Sequence, residues 1–263
     1  MKIITLLTDF GTRDGYTGVM RGVIYKIAPD AQIADITHTI RPQNILEGSL
    51  VWNRAYVFYP ESTVHVAVVD PGVGTQRRPI AAKANGHFFV CPDNGLLTPI
   101  LDHAAKSGQS VEIVHLDQPR FWLPQVSSVF HGRDIFSPAA AHIANGVPLT
   151  DLGTPITDPV RMEIPEPEKT ANGWRGQVLS VDHFGNLRTN LMRAQLKDMT
   201  NFRVRIAGRE INGLSQTFGE HAQGTLIALF DSDDDLAVSI VGGSAANEIG
   251  AEVGSTVEVA SER

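Results

Sequence analysis

The chain carries two textures of apolar and polar positions. In its first half, short β-branched apolar runs take turns with stretches whose apolar residues recur every three to four positions. Residues 3–7 are one such run and predict a strand. Residues 15–28 follow, with Val19, Val23, Ile24 and Ile27 at helical spacing and Pro29 as a stop. Residues 32–36 predict a second strand, and 44–58 a helix with Ile45, Leu50, Val51 and Ala55 along one side. Residues 64–69 are apolar without alternation, the pattern of a strand buried on both faces. Residues 80–84 and 87–91 predict a hairpin around Asn85-Gly86, a dipeptide suited to a tight turn. A helix over 96–105, a strand over 111–116 and a helix over 135–144 complete an α/β layer pattern.

The texture then changes. Pro155, Pro159, Pro165 and Pro167 fall close together with charges between them, which predicts a linker over 154–173. Beyond it, short strands are predicted at 176–181, 202–206, 225–230, 236–240 and 256–259, separated by glycine turns. The expected organisation is an α/β N-terminal domain over 1–153 and a small β-rich C-terminal domain over 174–263, a barrel or a sandwich on the strands alone.

Composition narrows the function classes. Lys and Arg number 22 against 29 Asp and Glu, a net charge of −7. Binding to nucleic acid depends on neutralising phosphates, so an acidic chain without a basic run argues against it. The single cysteine, Cys91, excludes an intrachain disulfide and a cysteine-based zinc cage, and fits a reducing compartment. The N-terminal MKIITLLTDFG reads as a strand rather than a signal peptide. No run approaches the roughly 20 apolar residues of a membrane helix. A cytoplasmic protein with no membrane partner is the expectation.

Five segments offer chemistry. TDFG puts Asp9 at the end of the first strand, where a carboxylate can accept from both hydroxyls of a ribose; an Asp capping a turn is the plainer reading. VVDPGVGTQRRP delivers Asp70, Arg77 and Arg78 at the exit of the strand buried on both faces, the edge where open α/β sheets bind ligands. A salt-bridged turn, a glycine-rich methyltransferase loop and a reaction centre all fit that composition. The methyltransferase loop should open a helix, and here a strand follows. GxxxxGK[ST] and GxGxxG are both absent. His131, beside Gly132, could align water or take its proton; alone, it could equally bond a neighbouring carbonyl. VDHFGNLRTN holds Asp182 and Asn186 about an aromatic-glycine turn, and a carboxamide can read an adenine edge. An Asx-rich turn is the alternative. Asp231–Asp235 fails the calcium-loop pattern, and HExxH is absent, so no metal and no cofactor is expected.

Each motif is weak alone, but their order and spacing are specific. TDFG, GYTGVMRGVI, VVDPGVGTQRR, CPDNGLL, FHGRDIFSPAAAHIA and VDHFGNLRTN together resemble the S-adenosylmethionine hydroxide adenosyltransferase family, relatives of the fluorinating and chlorinating enzymes. The similarity runs from about residue 3 to about 253. It implies hydrolysis of S-adenosyl-L-methionine to adenosine and L-methionine by water attack at the ribose C5′ carbon. It implies Asp70, Arg77 and His131 as the water-handling set, with the choice of base between Asp70 and His131 open. Arg78 is a rival for Arg77, and the family spacing favours Arg77. It further implies Asp9 for the ribose hydroxyls, Asn186 for adenine, and Asp182 and Ser232 for the methionine part. The implied fold is an α/β domain followed by a β-barrel, in a homotrimer with active sites between subunits. The loop 231–239 keeps Ser232 but lacks the Gly, Tyr and Glu usual in the family, and Val241 stands where an Asn is frequent. Halide transfer to the same substrate, or binding without turnover, are the competing functions.

Overall fold

The computed structural model describes residues 2–199 and 201–261. Its chain divides into two compact units between Glu163 and Ile164. The first contains β1 (Ile3–Thr8), α1 (Tyr16–Ile27), β2 (Gln32–Thr37), α2 (Ile45–Tyr56), β3 (Val64–Val68), β4 (Pro79–Ala84), β5 (His87–Pro92), α3 (Thr98–Lys106), β6 (Glu112–His115), α4 (Ser137–Ala144), α5 (Leu149–Leu152) and β7 (Thr154–Pro155). A single π-helical turn, Gly132–Phe136, leads into α4. The strands form one sheet in the order β2-β1-β3-β5-β4-β6-β7. β1, β2, β3 and β5 run parallel, and β4, β6 and β7 are added antiparallel.

Strand side chains alternate between faces, and both faces are buried. Leu6, Val66 and Val68 pack with Met20 and Ile24 of α1 and Ala140 of α4. Their neighbours Leu7, Ala67 and Val69 pack with Trp52 of α2 and Ile100 of α3 on the other side. This explains the unbroken apolar run of β3. The expected hairpin is present: β4 and β5 pair around Asn85 (φ 51°) and Gly86 (φ 79°), the left-handed pair that a tight two-residue loop requires.

The topology locates a crevice. From β1 the chain crosses to β2 on one side, then returns to place β3 on the other side of β1. Thr8 and Val68 are register partners, so the segments after β1 and β3 leave the same edge. In an open sheet this reversal at the carboxyl ends is where ligands bind. Asp9 and Asp70 stand there.

Much of the proline-rich segment belongs to the first unit. Thr154–Pro155 pairs with β6. The Val160 N–H donates to Asp93 Oδ1 (2.7 Å), and the Met162 N–H to Thr98 Oγ1 (2.9 Å). Hydrogen bonding of its backbone, not its proline count, decides how free this segment is.

The second unit contains β8 (Glu168–Thr170), β9 (Gly173–Val181), β10 (Leu187–Met192), α6 (Arg193–Leu196), β11 (Phe202–Ile206), β12 (Arg209–Asn212), β13 (Leu226–Phe230), β14 (Asp235–Ile240), α7 (Ala245–Ile249) and β15 (Thr256–Ser261). They form an antiparallel sheet in the order β12-β11-β15-β9-β10-β14-β13, with β8 paired to β9. The sheet curls into a nearly closed barrel: just past β12, the Ser215 N–H donates to the Ala228 carbonyl of β13 (2.8 Å). Val178, Leu187, Val204, Val238 and Val259 fill its interior. Among the described residues, no helix is long and apolar enough to cross a membrane.

Candidate active site

The loop after β3 is folded by its own backbone. The Val73 N–H bonds the Asp70 carbonyl (3.2 Å), and the Thr75 hydroxyl and N–H both bond the Gly72 carbonyl (2.7 and 3.2 Å). Gly74 has φ 77°, and a Cβ there would run into the Ser128 carbonyl oxygen. Glycine thus lets the loop lie against the segment that leads to His131. The turn reverses the chain and returns Arg77 to Asp70.

Arg77 and Asp70 form a two-point pair. Arg77 Nε donates to Asp70 Oδ1 at 2.9 Å and to Oδ2 at 3.0 Å, and Nη2 donates to Oδ2 as well. Both side chains are nearly enclosed, 9% and 5% exposed. Nη2 also donates to His131 Nδ1 at 2.8 Å. A guanidinium does not surrender its proton, so Nδ1 is the acceptor and the neutral ring carries its hydrogen on Nε2. Burial, then the adjacent Arg77 charge, hold the His131 pKa below its ordinary value. Both effects favour that neutral ring. Arg77 Nη1 is buried and has no hydrogen-bond partner among the described residues. An unmet buried donor is costly, and its natural complement is an oxygen atom.

Arg78 points to other work. It donates from Nε to Asp93 Oδ2 (2.9 Å), from Nη1 to Asp158 Oδ1 (2.9 Å) and from Nη2 to the Asp158 carbonyl (2.7 Å). The two arginines stand just before β4, and of the two it is Arg77 that reaches Asp70 and His131. Asp9, on the neighbouring strand exit, accepts the Gln43 N–H at Oδ2 (2.8 Å). Cys91 is fully buried, and burial pushes its thiol well above the ordinary range. It is therefore no nucleophile.

The other three sequence-derived residues share a cavity of about 960 Å³ in the second unit, lined among others by Asp182, Asn186, Ser232 and the rings of Phe184, Phe218 and Phe230. Asp182 also closes an Asx turn: Oδ1 accepts the Phe184 and Asn186 N–H groups (both 2.9 Å), and Oδ2 accepts Asn186 Nδ2 (2.7 Å). The carboxamide has a second N–H and a carbonyl oxygen for other partners.

The structure adds residues that the motifs did not single out. Arg188 lines the same cavity and ion-pairs with Asp231 (2.6 Å), Asp233 and Asp235 (3.8 Å). The acidic run is thus gathered around an internal cation. Its alternate-position spacing matches a strand entry, but its partner lies 43 residues or more upstream, and composition cannot supply that. Among the described residues, no group of three or more His, Cys, Asp or Glu side chains is arranged to hold a metal ion.

Comparison with known proteins bears on both units. Residues 4–153 match the SAM hydroxide adenosyltransferase N-terminal domain, and 176–258 its C-terminal domain. A Salinispora tropica protein named (R)-S-adenosyl-L-methionine hydrolase is 40% identical over 261 residues, 97% of each chain. A Nocardia brasiliensis fluorinase is more distant, 28% identical over 98% of this chain and 96% of its own. A crystal structure of an uncharacterized conserved protein from Thermotoga maritima superposes with a TM-score of 0.89 at 36% identity, covering 97% of this chain and 99% of that one. Two matched domains and a full-length relative at this identity make the chain a member of the SAM hydroxide adenosyltransferase family.

Proposed function

We propose that the protein hydrolyses S-adenosyl-L-methionine to adenosine and L-methionine, with water attacking the ribose C5′ carbon. The observation that carries this reading is the Asp70–Arg77–His131 set, hydrogen-bonded together at the β1/β3 switch point with one guanidinium donor unmet. The hydrolase name borne by the Salinispora relative supports it.

The leaving group is a neutral thioether, so no general acid is required. The protein has to place a water and favour hydroxide character on it. Arg77 Nη1 donates to the water oxygen, and His131, whose ring also engages the Ser127 backbone, completes the frame around it. With His131 Nδ1 occupied by Arg77, the remaining lone pairs of Asp70 are the better acceptor for the proton. Holding the nucleophile in line removes much of the entropic barrier. Asp9 binds the ribose hydroxyls, Asn186 reads adenine, and Asp182 and Ser232 hold the methionine end. The carboxylates at Asp9 and Asp182 suit a cationic ligand, and the sulfonium brings its own charge. No cofactor is called for.

The relative's name specifies the (R) sulfonium centre. The same preference is proposed for this chain, and it gives the reaction a purpose: removal of one epimer spares the other. The architecture proposed is an α/β domain over 1–153, a connecting segment over 154–173 and a β-barrel domain over 174–263. Three copies form a homotrimer with sites at subunit interfaces, in the cytoplasm, with no nucleic-acid or membrane partner. Family resemblance supports this.

The test is incubation with each purified sulfonium epimer, with and without chloride or fluoride. Adenosine and methionine from the (R) epimer, at a rate indifferent to halide, is the expected result. Halogenated deoxyadenosine would make the protein a halogenase, and binding without any product would make it a binding module.

A further inference from the structure

In an α-helix, residues five apart lie about 140° apart around the axis. The turn that follows His131 is wider. The Ser137 N–H reaches back to the Gly132 carbonyl, five residues away, and the Ser137 hydroxyl donates to the same oxygen at 2.7 Å. Such π-turns are rare and cluster at functional sites. Widening the turn swings residue 136 toward the side occupied by residue 131, and both then meet the same group. His131 accepts from Arg77 Nη2 at 2.8 Å. The Phe136 ring centroid lies 5.2 Å from the Arg77 guanidinium carbon. Phe136 is fully buried and the Arg77 side chain nearly so. A cation–π contact gains most when both partners are withdrawn from water.

Asp70 grips one edge of the guanidinium, a contact that leaves the plane able to tilt about the shared axis. A ring packed 5.2 Å from the guanidinium carbon opposes that tilt. We infer that Phe136 is a positioning residue: its ring fixes the plane of Arg77 and so the direction of the unmet Nη1 donor, and the π-turn is the device that brings the ring there. The inference rests on the reading that Arg77 holds the attacking water. It also explains why Phe136, a member of the core cluster formed with Leu6 and Met20, is reached by a widened π-turn rather than by a plain helix.

The test uses the full-length protein with Phe136→Leu and Phe136→Met, two apolar replacements without a ring face. Steady-state kinetics are expected to show kcat lowered about tenfold with KM nearly unchanged. Nuclear magnetic resonance supplies readouts that do not depend on turnover. In the wild type, the Arg77 Nε–H resonance should carry a ring-current shift that either variant abolishes. The His131 pKa should rise part of the way to its ordinary value as Arg77 loosens, Asp70 and Asp134 being the other charged groups that act on it. A folded variant with wild-type kcat and wild-type His131 pKa overturns the inference. So does a wild-type spectrum without the ring-current shift, which decides the matter if neither variant folds. A wild type that shows the shift, and loses it in the variants, yet turns over no substrate, would support the positioning role and refute the hydrolase reading.

Discussion

Replacing Arg77 with Ala is expected to lower kcat about a thousandfold, the loss seen when an aimed donor is removed from a reaction centre, whereas Arg78→Ala should leave kcat near wild type. Arg77 links Asp70 to His131 by hydrogen bonds. Arg78 instead ties Asp93 to the backbone and side chain of Asp158. Its loss should show as reduced stability of the segment around Asp158. Arg77→Ala also strands the Asp70 carboxylate, 5% exposed, and breaking a buried pair on one side costs roughly 3–5 kcal/mol. Circular dichroism must therefore accompany the kinetics. Arg77→Lys keeps the charge and serves as the folded control. A compact ammonium cannot reproduce the planar fork that meets Asp70 and His131 together, so most of the kcat loss should persist. An inactive Arg78→Ala beside an active Arg77→Ala would contradict the assignment.

Acid should destabilise the fold steeply, through a group that takes no part in that hydrogen-bonded set. His65 lies within β3 and is fully buried. Its Nδ1 meets Thr5 Oγ1 at 2.8 Å, its Nε2 meets His87 Nδ1 at 3.2 Å, and its ring stacks on Phe89. Burial, reinforced by His87, lowers its pKa to about 3. In the unfolded chain the value returns to about 6.5. Above that pH the ring is neutral in both states and contributes nothing to the pH dependence. Below it, the unfolded chain takes up a proton that the folded one refuses, so stability falls as pH falls from 6.5 to about 3. Each pH unit costs about 1.4 kcal/mol. Against a total stability of roughly 5–15 kcal/mol, two units are a large share. Urea denaturation at pH 7 and pH 4.5 measures the loss. His65→Gln, which cannot titrate, should lose about 2–3 kcal/mol less over that interval than the wild type. Equal losses in the two proteins would remove His65 from the account.

Period and turn chemistry made most of the first unit legible. The continuous run at 64–69 foretold burial on both faces, and Asn85-Gly86 foretold the hairpin. β10 was hidden because its sequence LRTNLM reads as a polar motif; Leu187, Thr189 and Leu191 alternate inward all the same. The π-turn was hidden for another reason. A spacing of five belongs to neither the helix nor the strand period, so the sequence predicts only a helix over 135–144 where a π-turn precedes α4. Pairings over long separations were equally invisible: Arg77 with His131 spans 54 residues, and Arg188 with Asp233 spans 45. The motifs announced Asp70 and Arg77 as neighbours and the family spacing favoured Arg77, but only the fold shows that Arg77 reaches both Asp70 and His131 while Arg78 reaches Asp93 and Asp158. Asp182 shows the converse. Its plain role in an Asx turn and its place on the cavity wall are both present, and a sequence cannot weigh one against the other.

The central claim is that the Asp70–Arg77–His131 set delivers water to a carbon of the substrate. Turnover of S-adenosyl-L-methionine in ¹⁸O-enriched water, followed by mass spectrometry of the products, tests it most directly. One ¹⁸O atom is expected in the 5′-hydroxyl of adenosine and none in methionine. Unlabelled adenosine, or label recovered in a methionine-derived alcohol, would place the bond cleavage elsewhere and contradict it.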